Sequence, residues 1–208
     1  MHLFPNSRVF ISFGSLQIAW YAVLILTGAL CAYLLCQRTM KKWSYAPEVL
    51  DDYVVPMLFI GILGARLWYV IFEWNYYSQH LNEIIAIWNG GLAIHGGLIA
   101  GFIFSLFYFK NKKISFLRMF DLIMPTVLLA QAFGRWGNFM NQEAYGGIVS
   151  ESFFAHYPAF IKNQMFIDGA YRMPTFLFES VCNLLGFLFI TRIFRKHFYK
   201  RRGDCGFM

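Results

Sequence analysis

The chain has 208 residues, of which 58% are hydrophobic, 20% aromatic and only 14% charged, with a formal net charge of +7. A soluble domain carries about a quarter charged residues, so this composition excludes an ordinary water-solvated fold and points to the bilayer as solvent. The positive excess flanks apolar segments and has no polar domain to organise it, which argues against a nucleic-acid surface. Apolar stretches close to the roughly 20 residues that span hydrocarbon follow in chain order at 16–36, 50–73, 92–109, 119–137 and 174–194. The predicted fold is therefore an all-α integral membrane protein, a bundle of about five transmembrane helices forming one polytopic domain over 1–208.

Basic residues orient the bundle. Arg38, Lys41 and Lys42 follow the first span, Lys110, Lys112, Lys113 and Arg118 join the third to the fourth, and Arg192, Arg195, Lys196, Lys200, Arg201 and Arg202 follow the fifth. By the positive-inside rule these segments are cytoplasmic. The N-terminus and the 74–91 and 138–173 connections are then outside, the second as a small extracytoplasmic cap. The first span is followed by positive charge, the reverse of a cleavable signal, so retention is expected. Cys31, Cys36, Cys182 and Cys205 show no metal-ligand spacing and read as packing residues.

Trp74, Tyr76, Tyr77 and Trp88 mark an interface, where the amphipathic stretch Leu81 to Trp88 is predicted to lie on the membrane as a short helix. Glycines at Gly61, Gly64, Gly96, Gly97 and Gly101 fall inside spans, and Gly97 and Gly101 have the spacing of close helix packing.

The run Gly134-Arg135-Trp136-Gly137-Asn138-Phe139-Met140-Asn141-Gln142-Glu143 begins inside the fourth span. An arginine at such a depth costs on the order of 2.5–3.5 kcal/mol on insertion scales, so it is expected against an anionic partner, here a phosphate. Counting at about 1.5 Å per residue from the cytoplasmic boundaries places Arg66, His95 and Arg135 roughly 21–22 Å deep, with Glu179 and Tyr21 nearby in depth. Each alone has a structural alternative: an Arg66–Glu73 ion pair, a helix-to-helix histidine bond, or a helix C-terminal cap from Asn138 and Asn141. Five helices contributing to one polar layer favour a site.

The run from Gly134 to Gly146 resembles the signature of the prolipoprotein diacylglyceryl transferases. Gly64-Ala65-Arg66-Leu67-Trp68-Tyr69, Trp88-Asn89-Gly90-Gly91, His95-Gly96-Gly97-Leu98-Ile99 and Pro174 to Glu179 fit the same family in order. The resemblance implies a multi-pass enzyme of the bacterial inner membrane. Its substrates would be phosphatidylglycerol and prolipoprotein signal peptides bearing a lipobox cysteine, with no cofactor and no metal. In the implied reaction the cysteine sulfur attacks the glycerol carbon, a thioether forms and glycerol 1-phosphate leaves. Arg135 would meet the phosphate charge, and either His95 or the substrate phosphate would take the thiol proton. Asn138, Asn141, Glu143, Tyr21, Arg66, Glu179 and Gly137 would bind or support the headgroup, with Glu143 holding Arg135 or binding glycerol hydroxyls.

Members of that family continue with further spans and another arginine-bearing motif, whereas this chain ends at Met208, as if cut before the next helix. Met173 stands where histidine is expected and Phe178 where tyrosine is expected. Two other readings are a transporter or channel, disfavoured by the lack of an inverted repeat, and an inactive lipid-binding module.

Overall fold

The computed structural model describes residues 8–13 and 16–194. Residues 195–208, with Cys205 and all of the last basic cluster except Arg192, lie outside the described residues. Strands β1 (Val9–Phe13) and β2 (Leu16–Ala19) form an antiparallel hairpin with an irregularity between Val9 and Ile11. The first predicted span was placed from 16, but residues 16–19 are strand, and helix α1 runs Trp20–Lys42. Helix α2 (Glu48–Phe72) leads through the short α3 (Trp74–Tyr77) to α4 (Ile94–Asn111), and α5 covers Phe116–Asn141. A compact segment follows, with α6 (Ala159–Gln164), β3 (Phe166–Ile167) and β4 (Ala170–Tyr171), before α7 (Thr175–Leu188) and a π-helical turn, Phe189–Phe194.

Among the described residues, four helical segments are long and apolar enough to cross a membrane: Trp20–Lys42, Glu48–Phe72, Phe116–Asn141 and Thr175–Arg192. The third expected span, 92–109, corresponds to α4, which falls short because its eighteen residues include His95, Lys110 and Asn111. Lipid is the natural solvent for what these helices present. Leu58, Phe59, Leu63 and Leu67 of α2 are all more than 60% exposed, and a water-soluble fold does not leave such a stripe uncovered. Pro56 and Pro125 lie inside α2 and α5, as helices in lipid tolerate.

The chain divides into two compact units, the division falling within α1 and α5. The unit spanning Gln37–Asp121 is organised by α2 against α4. A methyl group on Gly64 would lie 2.7 Å from the Gly96 carbonyl oxygen, and one on Gly97 would lie 3.1 Å from that of Gly61. Backbones approach this closely only where both helices carry small residues. Away from that crossing, Tyr53 and Ser105 share a buried 2.7 Å hydrogen bond, Tyr108 donates to the Val49 carbonyl at 2.9 Å, and Lys112 pairs with Asp52 at 3.2 Å.

The other unit holds β1, β2, most of α1 and the described chain from Leu122 onward. Gly28 lets α1 approach α5, since a methyl there would meet Phe133 Cβ at 2.9 Å. Its core gathers Phe139 and Met140 of α5, Phe154, Ile161, Met165 and Ile167 of the following segment, and Phe176 of α7. Phe139 stacks on Phe176 with ring centroids 4.3 Å apart. This aromatic packing fixes the end of α5 against the start of α7. Cys31, Cys36 and Cys182 are free thiols, Cys36 buried and within 3.4 Å of the Thr126 hydroxyl.

Between α3 and α4, the stretch expected as one short helix is instead two 3-10 turns, Leu81–Glu83 and Ile87–Asn89. Gly90 and Gly91 follow with φ of +84° and +73°, a backbone that favours glycine and interrupts helix. Ile85 and Trp88 are about three-quarters exposed, consistent with an interfacial position.

Candidate active site

The signature arginine sits two turns before the end of α5, and α5 ends in a Schellman motif. The Glu143 N–H donates to the Asn138 carbonyl at 3.0 Å and the Gln142 N–H to the Phe139 carbonyl at 3.2 Å, with Gln142 in the left-handed region at φ +55°. A side chain from α6 completes the cap: Gln164 donates through Nε2 to the Phe139 and Met140 carbonyls at 3.2 and 3.3 Å. Gln142 returns the contact, its Nε2 donating to the Gln164 carbonyl at 2.9 Å. These bonds occupy helix-end carbonyls that would otherwise lack partners.

The cap turns the chain so that Glu143 comes back over the last turn of α5. Its Oε1 accepts from Asn138 Nδ2 at 2.9 Å and from Asn141 Nδ2 at 3.3 Å. Both asparagine side chains therefore donate to one carboxylate. Arg135 reaches Asn138 Oδ1 through Nη1 in a long 3.5 Å contact, and its Nη2 meets Glu179 Oε2 at 2.6 Å. Glu179 of α7 thus holds the guanidinium, the place expectation gave to Glu143. The Ser180 hydroxyl donates to the Ala132 carbonyl at 3.1 Å and locks the same two helices together beside the pair.

The Arg135–Glu179 pair is neither sealed nor fully wet, with side-chain exposures of 34% and 44%. Two of the five donors of Arg135 are engaged. The remaining edge suits phosphate oxygens, which a planar guanidinium meets with paired donors. Asn138, Glu143, Tyr145, Thr175 and Phe176 also line a cavity of about 10 Å³, room for a single water. Tyr21 lies against Gly137, where a methyl would fall 2.6 Å from the ring, so the absence of a side chain at 137 admits the tyrosine.

Arg66 and His95 belong to the Gln37–Asp121 unit. Arg66 is buried, and Glu73 is not its partner. Four donors go to main-chain carbonyls: Nε to Ile84 at 2.7 Å, Nη1 to Gly90 and Gly91 at 2.8 and 3.0 Å, and Nη2 to Glu83 at 2.5 Å. Its guanidinium lies 5.1 Å from the Tyr77 ring centre. With four donors so committed, Arg66 clasps the 83–91 connection. The Ala93 N–H then donates to the Ala65 carbonyl at 3.0 Å, which sets the start of α4 and brings His95 to its first turn. His95 is exposed.

Gln142, Gln164 and the carbonyl-clasping use of Arg66 went unread in the sequence. The partners involved are main-chain carbonyls, which leave no residue signature.

The profile of the prolipoprotein diacylglyceryl transferase family matches residues 8–208. A phosphatidylglycerol–prolipoprotein diacylglyceryl transferase of Streptococcus uberis is 50% identical over 188 residues, covering 90% of this chain and 72% of that protein. One of Streptococcus pyogenes serotype M5 is 50% identical over 183 residues, covering 88% of this chain and 70% of that protein. A match over nearly the whole chain, at this identity and with the Arg135 network in place, means that the chain belongs to the prolipoprotein diacylglyceryl transferase family.

Proposed function

We propose that this protein transfers the diacylglyceryl group of phosphatidylglycerol to the lipobox cysteine of a prolipoprotein, the first step of lipoprotein maturation, at the outer face of a bacterial cytoplasmic membrane. The carbon–sulfur bond forms as the carbon–oxygen bond to phosphate breaks. The thiol proton passes to a base, and glycerol 1-phosphate leaves carrying the bond's electron pair. Its phosphate gains negative charge as it departs, so a fixed cation beside it binds the transition state more tightly than the substrate.

The observation that carries this reading is the half-open Arg135–Glu179 pair, with two of five guanidinium donors engaged. Glu179 fixes one edge of the plane and leaves another for phosphate. Asn138, Asn141 and Glu143 form a hydrogen-bonded ledge beside it, where the carboxylate can accept from glycerol hydroxyls. Tyr21 and Gly137 support the wall. A free cysteine is only a few per cent thiolate at neutral pH, so we assign proton removal to His95, a neutral imidazole being a suitable acceptor.

Protein in nanodiscs containing labelled phosphatidylglycerol, supplied with a lipobox peptide, tests the reading. Thioether product that disappears when the peptide cysteine is replaced by serine supports it. Binding of lipid with no product, in protein of intact helix content, would leave a binding module.

A further inference from the structure

Arg172 is a third arginine with a different situation. It closes the 166–172 hairpin, and its main chain is held on both sides: its N–H donates to the Met165 carbonyl at 2.9 Å and it bridges Ile148 across an antiparallel pair. The Met173 N–H donates to the Gly147 carbonyl at 2.9 Å, and Gly146 returns the bond at 3.0 Å. The guanidinium rests 5.3 Å from the centre of the Tyr145 ring. Its Nε is buried and makes no hydrogen bond among the described residues.

The other cations of this unit that face carboxylates are neutralised. Arg135 pairs with Glu179 and Lys162 with Glu151, both at 2.6 Å. Among the described residues Arg172 has no carboxylate partner, although Glu143 stands only two residues from Tyr145. A buried Nε without an acceptor is costly, and an anion that reaches the exposed part of the guanidinium offsets that cost by neutralising its charge. The seat is built with some strain: Ala144, at φ +51°, is held by the Thr175 hydroxyl donating to its carbonyl at 2.7 Å, and this turn delivers Tyr145 beneath the arginine. Next to it a methyl on Gly147 would meet nothing within 4 Å, so the approach is open.

We propose that Arg172, seated on Tyr145, is a second anion-binding site that takes a phosphate group, separate from the one at Arg135. A phosphate offers acceptor oxygens to a guanidinium edge while the aromatic face keeps the plane in position. Lipid phosphodiester and a soluble phosphate monoester share this chemistry. The site deepens the proposed function but does not need turnover to be seen.

Binding of short-chain phosphatidylglycerol and of glycerol 1-phosphate to the full chain in dodecyl maltoside would be measured separately by calorimetry. Proteins would be wild type, Arg172→Gln, Arg172→Lys and Tyr145→Leu, each also carrying Arg135→Lys. Arg172→Gln should weaken one of the two ligands roughly tenfold, with Arg172→Lys and Tyr145→Leu in between. Loss confined to the lipid identifies a headgroup site, and loss confined to the monoester a path for the departing phosphate. Persistence of the effect in the Arg135→Lys background separates this site from the catalytic reading. Should neither ligand change by more than about twofold in any of the three variants with wild-type helix content, the proposal is overturned.

Discussion

Arg135→Lys keeps the charge and removes the geometry. In the native pair Nη2 meets Glu179 at 2.6 Å while Nη1 reaches toward Asn138 at 3.5 Å, so the guanidinium plane spans two partners and keeps an edge for phosphate. A lysine has one charge centre, and the nearby carboxylate of Glu179 captures it. The departing phosphate then loses a preorganised donor pair, worth roughly 2.7–4 kcal/mol where single oxyanion donors have been removed, or about 100- to 1000-fold in kcat. Stability should barely move, because a pair this exposed contributes about 1 kcal/mol at most. The assay is single-turnover transfer of labelled diacylglycerol to a lipobox peptide in nanodiscs, with circular dichroism to confirm helix content. Glu179→Gln, which keeps the oxygen but not the charge, should cost about tenfold through lost orientation. A lysine variant within threefold of wild-type kcat would falsify the assignment of Arg135 to the leaving phosphate.

If His95 takes the thiol proton, His95→Gln should slow single-turnover transfer by about 100-fold or more while phosphatidylglycerol binding is retained; an unchanged rate removes the assignment. A methyl on Gly137 would fall 2.6 Å from the Tyr21 ring, so Gly137→Ala should destabilise by about 1–3 kcal/mol, and combination with Tyr21→Leu should recover stability in thermal melts. Gln164→Leu removes two bonds from the end of α5 and should cost about 1–2 kcal/mol, read as faster deuterium exchange over residues 139–144 while α2 and α4 are unaffected. The Lys162 hydrogen bond holds the Glu151 carboxyl below its usual range, and Glu151 holds the Lys162 ammonium above its own. The Glu151 contribution is present above its unfolded pKa and lost as pH falls through the lowered one, whereas the Lys162 contribution is lost only as pH rises through its raised value. Exchange protection of α6 should therefore decline at both extremes, and Glu151→Gln should abolish the acid edge.

The spans were legible because apolar length is a direct consequence of bilayer thickness, and four of them stand within a few residues of where hydropathy put them. Counting 1.5 Å per residue also anticipated that Arg135 and Glu179 would reach the same level, and their side chains touch. The hairpin of β1 and β2 was missed because its second strand is four residues long and runs directly into an apolar helix. The 138–173 connection is legible only as a cap, since its fold rests on two-residue strands and on aromatic contacts between distant residues such as Phe154 and Tyr171. Propensity carries almost no information over such short elements. Met173, conspicuous as a departure from the family pattern, holds its place through its backbone bonds to Gly146 and Gly147.

Three buried or half-buried arginines show why residue type alone does not assign function in a membrane. Arg66 and Arg135 lie in helices and carry the same insertion penalty in principle, Arg172 lies in the connection before α7, and each finds different partners. Arg66 spends four donors on main-chain carbonyls and two aromatic faces lie within 6.0 Å, so little of it is left for a ligand. Arg135 uses two donors and faces a carboxylate that restrains it without covering it. Arg172 leaves its buried Nε without an acceptor among the described residues and rests on a ring. The number of uncommitted donors, rather than depth or burial, separates scaffold from site. On that measure the guanidinium most ready to accept an incoming phosphate is Arg172, while Arg135, already oriented by Glu179, is the one suited to stabilise charge that develops at a fixed point.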